Sequence, residues 1–359
     1  MIIESLRTYN FRNLSDSTID TSNKHVLLVG DNGQGKSNFI EAIYFACYGS
    51  SFRTRLQKQI TRFSKNDLSV IASIKNGDNT YKIKVIFKDG KRKTYINDNE
   101  IKDRKELLSI CTCIVFSHED MEYVNGSPMM QRKFFDQTIS LLNNPYIDSM
   151  RLYNAVIKQR NALLKNGDES LIGIYNKKLA DIGLEIQRQR TWITEKCNEI
   201  FPTLYEKISE NPLPVTIIYN PSWKATNCSE DIIRILENSY NRDKKYEMTT
   251  SGPHRDKFMF IQDERDFIST ASTGQIRLTA IVMKLVQSVL YGNLMKNRPI
   301  LLLDDVLLEL DISKRERFLE NIYDYDQAFF TFLPKESYFK EKNTDNITFK
   351  VSDGVLESI

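Results

Sequence analysis

The stretch Gly30-Asp31-Asn32-Gly33-Gln34-Gly35-Lys36-Ser37 fits the pattern G-x-x-x-x-G-K-S without a gap. Each residue type has a physical reason. Glycines let the backbone curl closely around an anion, and successive N–H groups then line the concavity. A helix that opens directly after such a loop turns its N-terminus toward the anion. Lys36 can reach β- and γ-phosphates, and the Ser37 hydroxyl suits Mg2+. Asn38 carries the loop into the helix. A second chemical group lies far downstream. Asp304 ends the apolar run Ile300-Leu301-Leu302-Leu303, where a carboxylate can hold Mg2+ through water. Asp305 beside it can orient or deprotonate an attacking water. Lys36 and Asp305 are therefore the catalytic candidates, and Ser37 and Asp304 the metal candidates. Read alone, Asp304 and Asp305 are simply two solvated acids at a strand end; the upstream loop makes a paired role the better reading.

Between them lies Ser272-Thr273-Gly274-Gln275-Ile276-Arg277, placed to open a helix whose body starts near Leu278. Ser272, Gly274 and Gln275 there form a second surface suited to an anion. A plain helix cap is the alternative for Ser272. A phosphate loop alone would fit a kinase or a GTPase. The order of phosphate loop, Ser-x-Gly-Gln, then Leu-Leu-Leu-Asp-Asp some thirty residues later resembles the ABC class. That resemblance implies that the serine–glycine motif contacts the γ-phosphate held by a second subunit. It implies two sites at the interface of an ATP-dependent homodimer. Leu310-Asp311 resembles the class's D-loop.

The elements that must position these residues are legible in outline. His25–Val29 is an apolar run ending in glycine, which suits a buried strand, and residues 37–47 show a helical pattern with Phe39, Ile40, Ile43 and Cys47 on one face. Ile2–Leu6 reads as a strand. Leu68–Ile74 and Tyr81–Phe87 alternate with period two, Asp89-Gly90 is a turn, and Lys91–Ile96 returns as the next strand. Near Ser117 the character changes. Pro145 suits the first position of a helix after Asn143 and Asn144, with Met150, Tyr153, Ile157 and Leu164 on one face and Asn166-Gly167 as the stop. A second helix is expected from about Leu171 to Ile200, with Leu179, Ile182, Ile186, Ile193 and Ile200 as its seam. A strand over 214–219 and a helix over 230–239 follow. The expected architecture is α/β: an ATPase head split by a mostly helical insertion, with the head in 1–118 and 246–359 and the helical lobe in 119–245.

Composition narrows the class. The 359 residues are 41% hydrophobic and 27% charged, as in ordinary globular domains. No run of about 18 uncharged apolar residues suggests a membrane span. The N-terminal residues lack a signal-peptide pattern, so a cytoplasmic, nucleoid-associated protein is expected. Cys47, Cys111, Cys113, Cys197 and Cys228 are scattered, with no Cys-x-x-Cys and only three histidines, so reduced structural thiols and no zinc site are expected. Net charge is +3, but residues 51–110 hold 15 Lys and Arg against 7 Asp and Glu. That basic block points to a polyanion, with a merely solvated surface as the alternative. Arg53, Arg55, Lys58, Lys91, Arg92 and Lys93 are the candidate phosphate contacts.

Several further segments, in order, carry a closer resemblance. They are Asn10-Phe11-Arg12-Asn13-Leu14, the phosphate loop with Glu41-Ala42-Ile43, Ser51-Phe52-Arg53, Phe116-Ser117-His118-Glu119-Asp120, Gly126-Ser127-Pro128, Gly252-Pro253-His254-Arg255-Asp256, and Leu303-Asp304-Asp305-Val306 with Glu309-Leu310-Asp311. The chain resembles the RecF family nearly end to end. This implies an ABC-type ATPase head that binds ATP and Mg2+, dimerises on ATP and hydrolyses it slowly, chiefly as a switch. It implies binding to single-stranded, double-stranded and gapped DNA, help to RecR and RecO in loading RecA, and a link to the SOS response. Against the family pattern, Ser37 stands for threonine, Thr273 and Ile276 for glutamines, Leu308 for a small polar residue, and Gln131 in an arginine-rich stretch. Asp305 is shorter than the glutamate of the wider class, which fits a slow ATPase.

Two other classes use the same loop. A small-molecule kinase needs one site per monomer and no Ser272. A transporter ATPase needs a membrane-coupling segment that this insertion does not resemble, and the absence of Cys-x-x-Cys and of very long helices argues against an SMC-type arm.

Overall fold

The computed structural model describes residues 1–54, 56–167, 169–212, 214–224, 228–295, 297–322, 325–334 and 345–359, with the backbone alone at Gln57 and Glu309. The chain forms two compact units, one from Met1–Glu119 with Gln287–Ile359, the other from Asp120–Val286.

The first unit contains two six-stranded sheets. One is antiparallel and runs Thr18–Asp20, Ile2–Tyr9, Leu68–Asn76, Asn79–Lys88, Lys91–Ile96, Asn99–Ile101. Its inward positions, such as Val70, Ala72, Ile83 and Val85, are fully buried, and the alternating residues face outward. The other sheet runs Val355–Ser358, Asn346–Ser352, His25–Val29, Gln327–Phe332, Ile300–Leu303, Cys113–Phe116. All its pairings are parallel except the hairpin at the first edge. Its central strands are apolar on both faces, as parallel strands covered on both sides require: Ile300, Leu301, Leu302 and Leu303 are all buried. The helix Lys36–Tyr48 packs its Phe39, Ile40, Ile43 and Cys47 into the core shared by both sheets. Strand order and register put the ends of His25–Val29 and Ile300–Leu303 on either side of Gln327–Phe332, so the loop after one strand and the acids after the other share one edge.

The second unit is mostly helical, with Pro128–Leu142, Pro145–Asn166, Ile172–Ser209, Ser229–Asn238 and Tyr240–Tyr246, and a small sheet of Val215–Asn220, Lys257–Gln262 and Arg265–Asp266. Pro145 and Gly167 bound their helix as expected, but Asn144 makes no side-chain cap. The second long helix does not stop near Ile200. It runs through Pro202 to Ser209, because Phe201 just before the proline and Leu204, Tyr205 and Ile208 beyond it are all buried. Their burial outweighs the one backbone bond that proline removes. One polar centre of this unit is Arg190, fully buried, with nitrogens 2.9 Å from Asp136 and 2.8 Å from Asp256. Asp256 also accepts from the Ser222 amide at 2.7 Å and from the Tyr219 hydroxyl. The segment 252–256 therefore closes a buried charge network in which every carboxylate is paired.

Thr273–Met295 is the one helix among the described residues long and apolar enough to cross a membrane, and most of its length is buried as in a core helix.

Candidate functional site

The strand His25–Val29 ends at Gly30, and the loop returns as a helix at Lys36. Gly30 lies so close to the neighbouring strand that a Cβ would meet the Val351 carbonyl oxygen at 2.4 Å. Gly33 and Gly35 have φ of 79° and 115°, a region in which side chains are strained. The hairpin of Asn346–Ser352 and Val355–Ser358 braces the loop from the side. The Gly354 amide donates to the Gln34 carbonyl at 2.8 Å, and the Asp353 amide donates to the Gln34 side chain at 2.7 Å. Asn13 completes the brace by accepting from Asn38 Nδ2 at 2.7 Å.

Within the loop, Asp31, Asn32 and Gly33 are exposed while Lys36 is 3% exposed. The Lys36 ammonium donates to the carbonyls of Gly30 (2.7 Å) and Asp31 (3.0 Å), so it is already turned into the mouth of its own loop. The Ser37 hydroxyl donates to Asp304 Oδ1 at 2.7 Å. Sequence positions 267 residues apart thus meet directly. Burial pushes the Asp304 carboxyl up to about 6, against the opposing pull of the Ser37 hydrogen bond. A desolvated carboxylate beside a hydroxyl is the donor set a hard cation prefers, and Ser37 and Asp304 fit Mg2+.

Asp305 follows in the left-handed region, with φ 54°. Thr331, at the end of the intervening strand, fixes it twice: its hydroxyl oxygen accepts from the Asp305 amide (2.7 Å) and donates to Asp305 Oδ1 (2.8 Å). Sequence reasoning missed Thr331, because nothing local marks a threonine on an apolar strand. It could have found the hairpin at Asp353-Gly354, a strong two-residue turn signal between alternating segments.

In the second unit, Ser272 and Gln275 form a reciprocal cap. The Ser272 hydroxyl accepts from the Gln275 amide at 3.2 Å, and Gln275 Oε1 accepts from the Ser272 amide at 2.9 Å. The helix starts at Thr273, not near Leu278, because this cap satisfies its first amides. Ser272, Thr273 and Gly274 remain exposed. Beyond the acids, Asp311 caps Ile312–Glu320 by accepting from the Lys314 amide at 2.9 Å.

The basic candidates separate. Lys91 and Lys93 point outward from their strand, where Lys91 pairs with Lys88 and Lys84 with Tyr95. Lys82, Lys84 and Lys88 share that face, and Arg7 joins it across Ile71. Arg92 has the opposite parity, and its guanidinium donates to the Gly49 carbonyl on the inner side. Arg53 sits beside the phosphate-loop helix, donating to Asn38 Oδ1 (2.9 Å) and to buried Glu41 (3.3 Å), which Arg12 also grips at 2.8 Å. Lys58 is exposed. Arg55 lies outside the described residues.

The sequence matches the family of the RecF/RecN/SMC N-terminal domain over residues 2–355. It is 38% identical over 347 residues to the DNA replication and repair protein RecF of Treponema pallidum (strain Nichols), spanning 96% of this chain and 98% of that one. It is 31% identical over 367 residues to the DNA replication and repair protein RecF of Leptospira interrogans serogroup Icterohaemorrhagiae serovar Lai, spanning 100% of both. Among solved structures, the recombination mediator protein RecF-ATP in the RecFOR pathway superposes with a TM-score of 0.90 at 29% identity, over 100% of this chain and 97% of that chain. The SMC head bound to the C-winged helix domain of ScpA shares the fold at a TM-score of 0.58 and 16% identity, over 100% of this chain and 98% of that chain. The fold is thus that of the ABC-type ATPase head with a helical insertion.

Proposed function

The chain belongs to the RecF family of DNA replication and repair proteins, and we propose that it is an ATP-gated DNA-binding switch of recombinational repair and replication restart. The observation that carries this reading is the meeting of Ser37 and Asp304 beneath the braced loop, with Lys36 turned into its mouth. ATP phosphates lie along Gly30–Asn38, and Lys36 exchanges two loop carbonyls for β- and γ-phosphate oxygens. Mg2+, held by Ser37 and Asp304, supplies charge neutralisation when bound. Asp305, pinned by Thr331, orients the attacking water. Its short side chain fits slow hydrolysis that acts as a timer more than as a catalyst. Ser272, Gly274 and Gln275 of one copy complete the site of a second copy, which makes the ATP-bound form a homodimer. The exposure of Ser272 and Gly274 supports that role.

DNA, whether single-stranded, double-stranded or gapped, binds through phosphates. The outward lysines of the antiparallel sheet, with Lys91 and Lys93 among them, suit such contacts better than Arg92, whose guanidinium is turned inward. The same proposal includes assistance to RecR and RecO in loading RecA, the SOS connection and a cytoplasmic, nucleoid-associated location, with membership of the family as its support. Mass measured in solution with ATP, ADP or no nucleotide tests the switch. A dimer in ATP alone, lost in Ser272→Arg with ATP affinity kept within about threefold, is the expected result. A monomer in every state sinks the dimer mechanism while leaving the nucleotide site intact.

A further inference from the structure

Three of the five cysteines, scattered in sequence, converge in the fold. Cys47 lies in the last turn of the phosphate-loop helix, and Cys111 and Cys113 flank Thr112 where the edge strand Cys113–Phe116 begins beside Ile300. Their sulfurs lie 2.8 Å (Cys47–Cys111), 3.2 Å (Cys47–Cys113) and 3.7 Å (Cys111–Cys113) apart. All three residues are at most 3% exposed. Among the described residues this is the one group of three or more such donors whose ligand atoms lie within 4.8 Å of one another. Buried thiols ordinarily pack as small apolar groups, so the signal here is not their burial but the convergence of three sulfurs on one point.

We propose that Cys47, Cys111 and Cys113 form a buried three-thiolate site for a thiophilic d10 metal ion, Cu+ or Zn2+, which fastens the far end of the phosphate-loop helix to the strand beside Ile300–Leu303. The donor chemistry selects the ion. Thiolates favour Cu+ and Zn2+ over hard cations such as Mg2+. Sulfurs sharing a metal at about 2.3 Å stand about 3.8 Å apart, so the longest edge already has the required length. The two shorter edges open by about 1 Å or less, within reach of small side-chain rotations. Cu+ is satisfied by three thiolates in a plane, whereas Zn2+ takes a fourth donor.

The helix and the strand that carry the sulfurs are tied together beside them. Tyr48, next to Cys47, donates through its hydroxyl to the Cys113 carbonyl at 2.7 Å and accepts from the Cys113 amide at 2.9 Å. One side chain therefore fixes the backbone of one ligand relative to the helix that carries another. No sulfur is exposed, so the metal enters as the chain folds, and each thiol that becomes a thiolate releases its proton to water. The site is remote in role from nucleotide binding and stands or falls independently of the proposed switch.

The test uses the full chain, unfolded with a thiol reductant and refolded anaerobically in parallel with Cu+, Zn2+ or Co2+, then washed with a weak chelator. The expected result is about one retained Cu+ or Zn2+ per chain, and a sulfur-to-cobalt charge-transfer band in the Co2+ sample. Replacing all three by alanine (Cys47→Ala, Cys111→Ala, Cys113→Ala) should lower retention at least tenfold, and Cys197→Ala, buried elsewhere, should leave it unchanged. X-ray absorption on the loaded wild-type protein covers the case in which the triple variant does not fold: three sulfur neighbours support the site, and oxygen or nitrogen neighbours alone overturn it. The proposal also fails if wild type retains no more metal than the triple variant. It fails equally if alkylation and mass measurement find two of the three sulfurs joined as a disulfide.

Discussion

Asp304 is unfavourable for the fold and, under the proposed function, useful for the site. Burial raises its carboxyl to about 6, above the ordinary 3.8, so folding disfavours its charged form. Between about pH 3.8 and 6 the folded chain binds the extra proton, and stability falls as pH rises through that window; above it the cost is complete. At pH 7.5 the cost is on the order of 2–3 kcal/mol. Asp304→Asn should therefore raise the melting temperature without nucleotide, because an amide can still accept from Ser37 with no charge to desolvate. The same variant should lose most of the stabilisation that Mg2+ and ATP give the wild type. Titration of ATP affinity against pH gives the complementary reading: with Mg2+ present it should weaken as pH drops through about 6, where protons compete for the carboxylate. A variant that melts lower than wild type without nucleotide at pH 7.5 would contradict this account.

At the scale of elements, the strand His25–Val29, the loop and the helix after it were legible because each carries a local signature: an apolar run, spaced glycines, a helical face. Asp304 was legible for the same reason. What local reading could not reach was support from afar. Thr331 holds Asp305 and the turn at Asp353-Gly354 holds Gln34 through pairings of distant strands, and Cys47 meets Cys111 across 64 residues where the phosphate-loop helix packs against the sheet. The helix Pro128–Leu142 also escaped notice, although Pro128 stands at its first turn. The hairpin brace can be tested by comparing two glycines with the same φ of 79°. A Cβ at Gly33 meets nothing within 4 Å, whereas at Gly354 it would lie 1.9 Å from the Asn13 carbonyl oxygen. Gly33→Ala should cost only the left-handed strain, about 1–2 kcal/mol. Gly354→Ala must also displace the turn, and should cost several kcal/mol or weaken ATP binding at least tenfold. Denaturant unfolding and ATP titration of both variants would decide it. Equal losses of folding stability would mean that the hairpin does not hold the loop.

At the scale of the whole molecule, net charge says little, because a surplus of +8 in residues 51–110 is offset elsewhere. Strand parity turns that surplus into a surface. The period of two sends Lys82, Lys84, Lys88, Lys91 and Lys93 to one face, and sends Arg92 to the other. Two of these lysines face acids, Lys82 near Asp98 and Lys93 near Glu100, each at 3.5 Å and mostly exposed, so those pairs are weak and readily exchanged for phosphate. A surface of this kind reads charge and spacing, not base edges. Binding to a duplex should fall steeply between about 50 and 200 mM salt, with little sequence preference. Replacing Lys84, Lys88 and Lys91 by alanine should reduce the slope of log affinity against log salt by about 0.9 for each phosphate no longer neutralised, and should do so only with ATP present if dimerisation assembles the surface. Arg92→Ala should leave that slope unchanged, because its guanidinium spends its hydrogen bond on the Gly49 carbonyl. An Arg92 variant with a reduced slope beside an unaltered triple-lysine variant would move the DNA site off the outer face of this sheet.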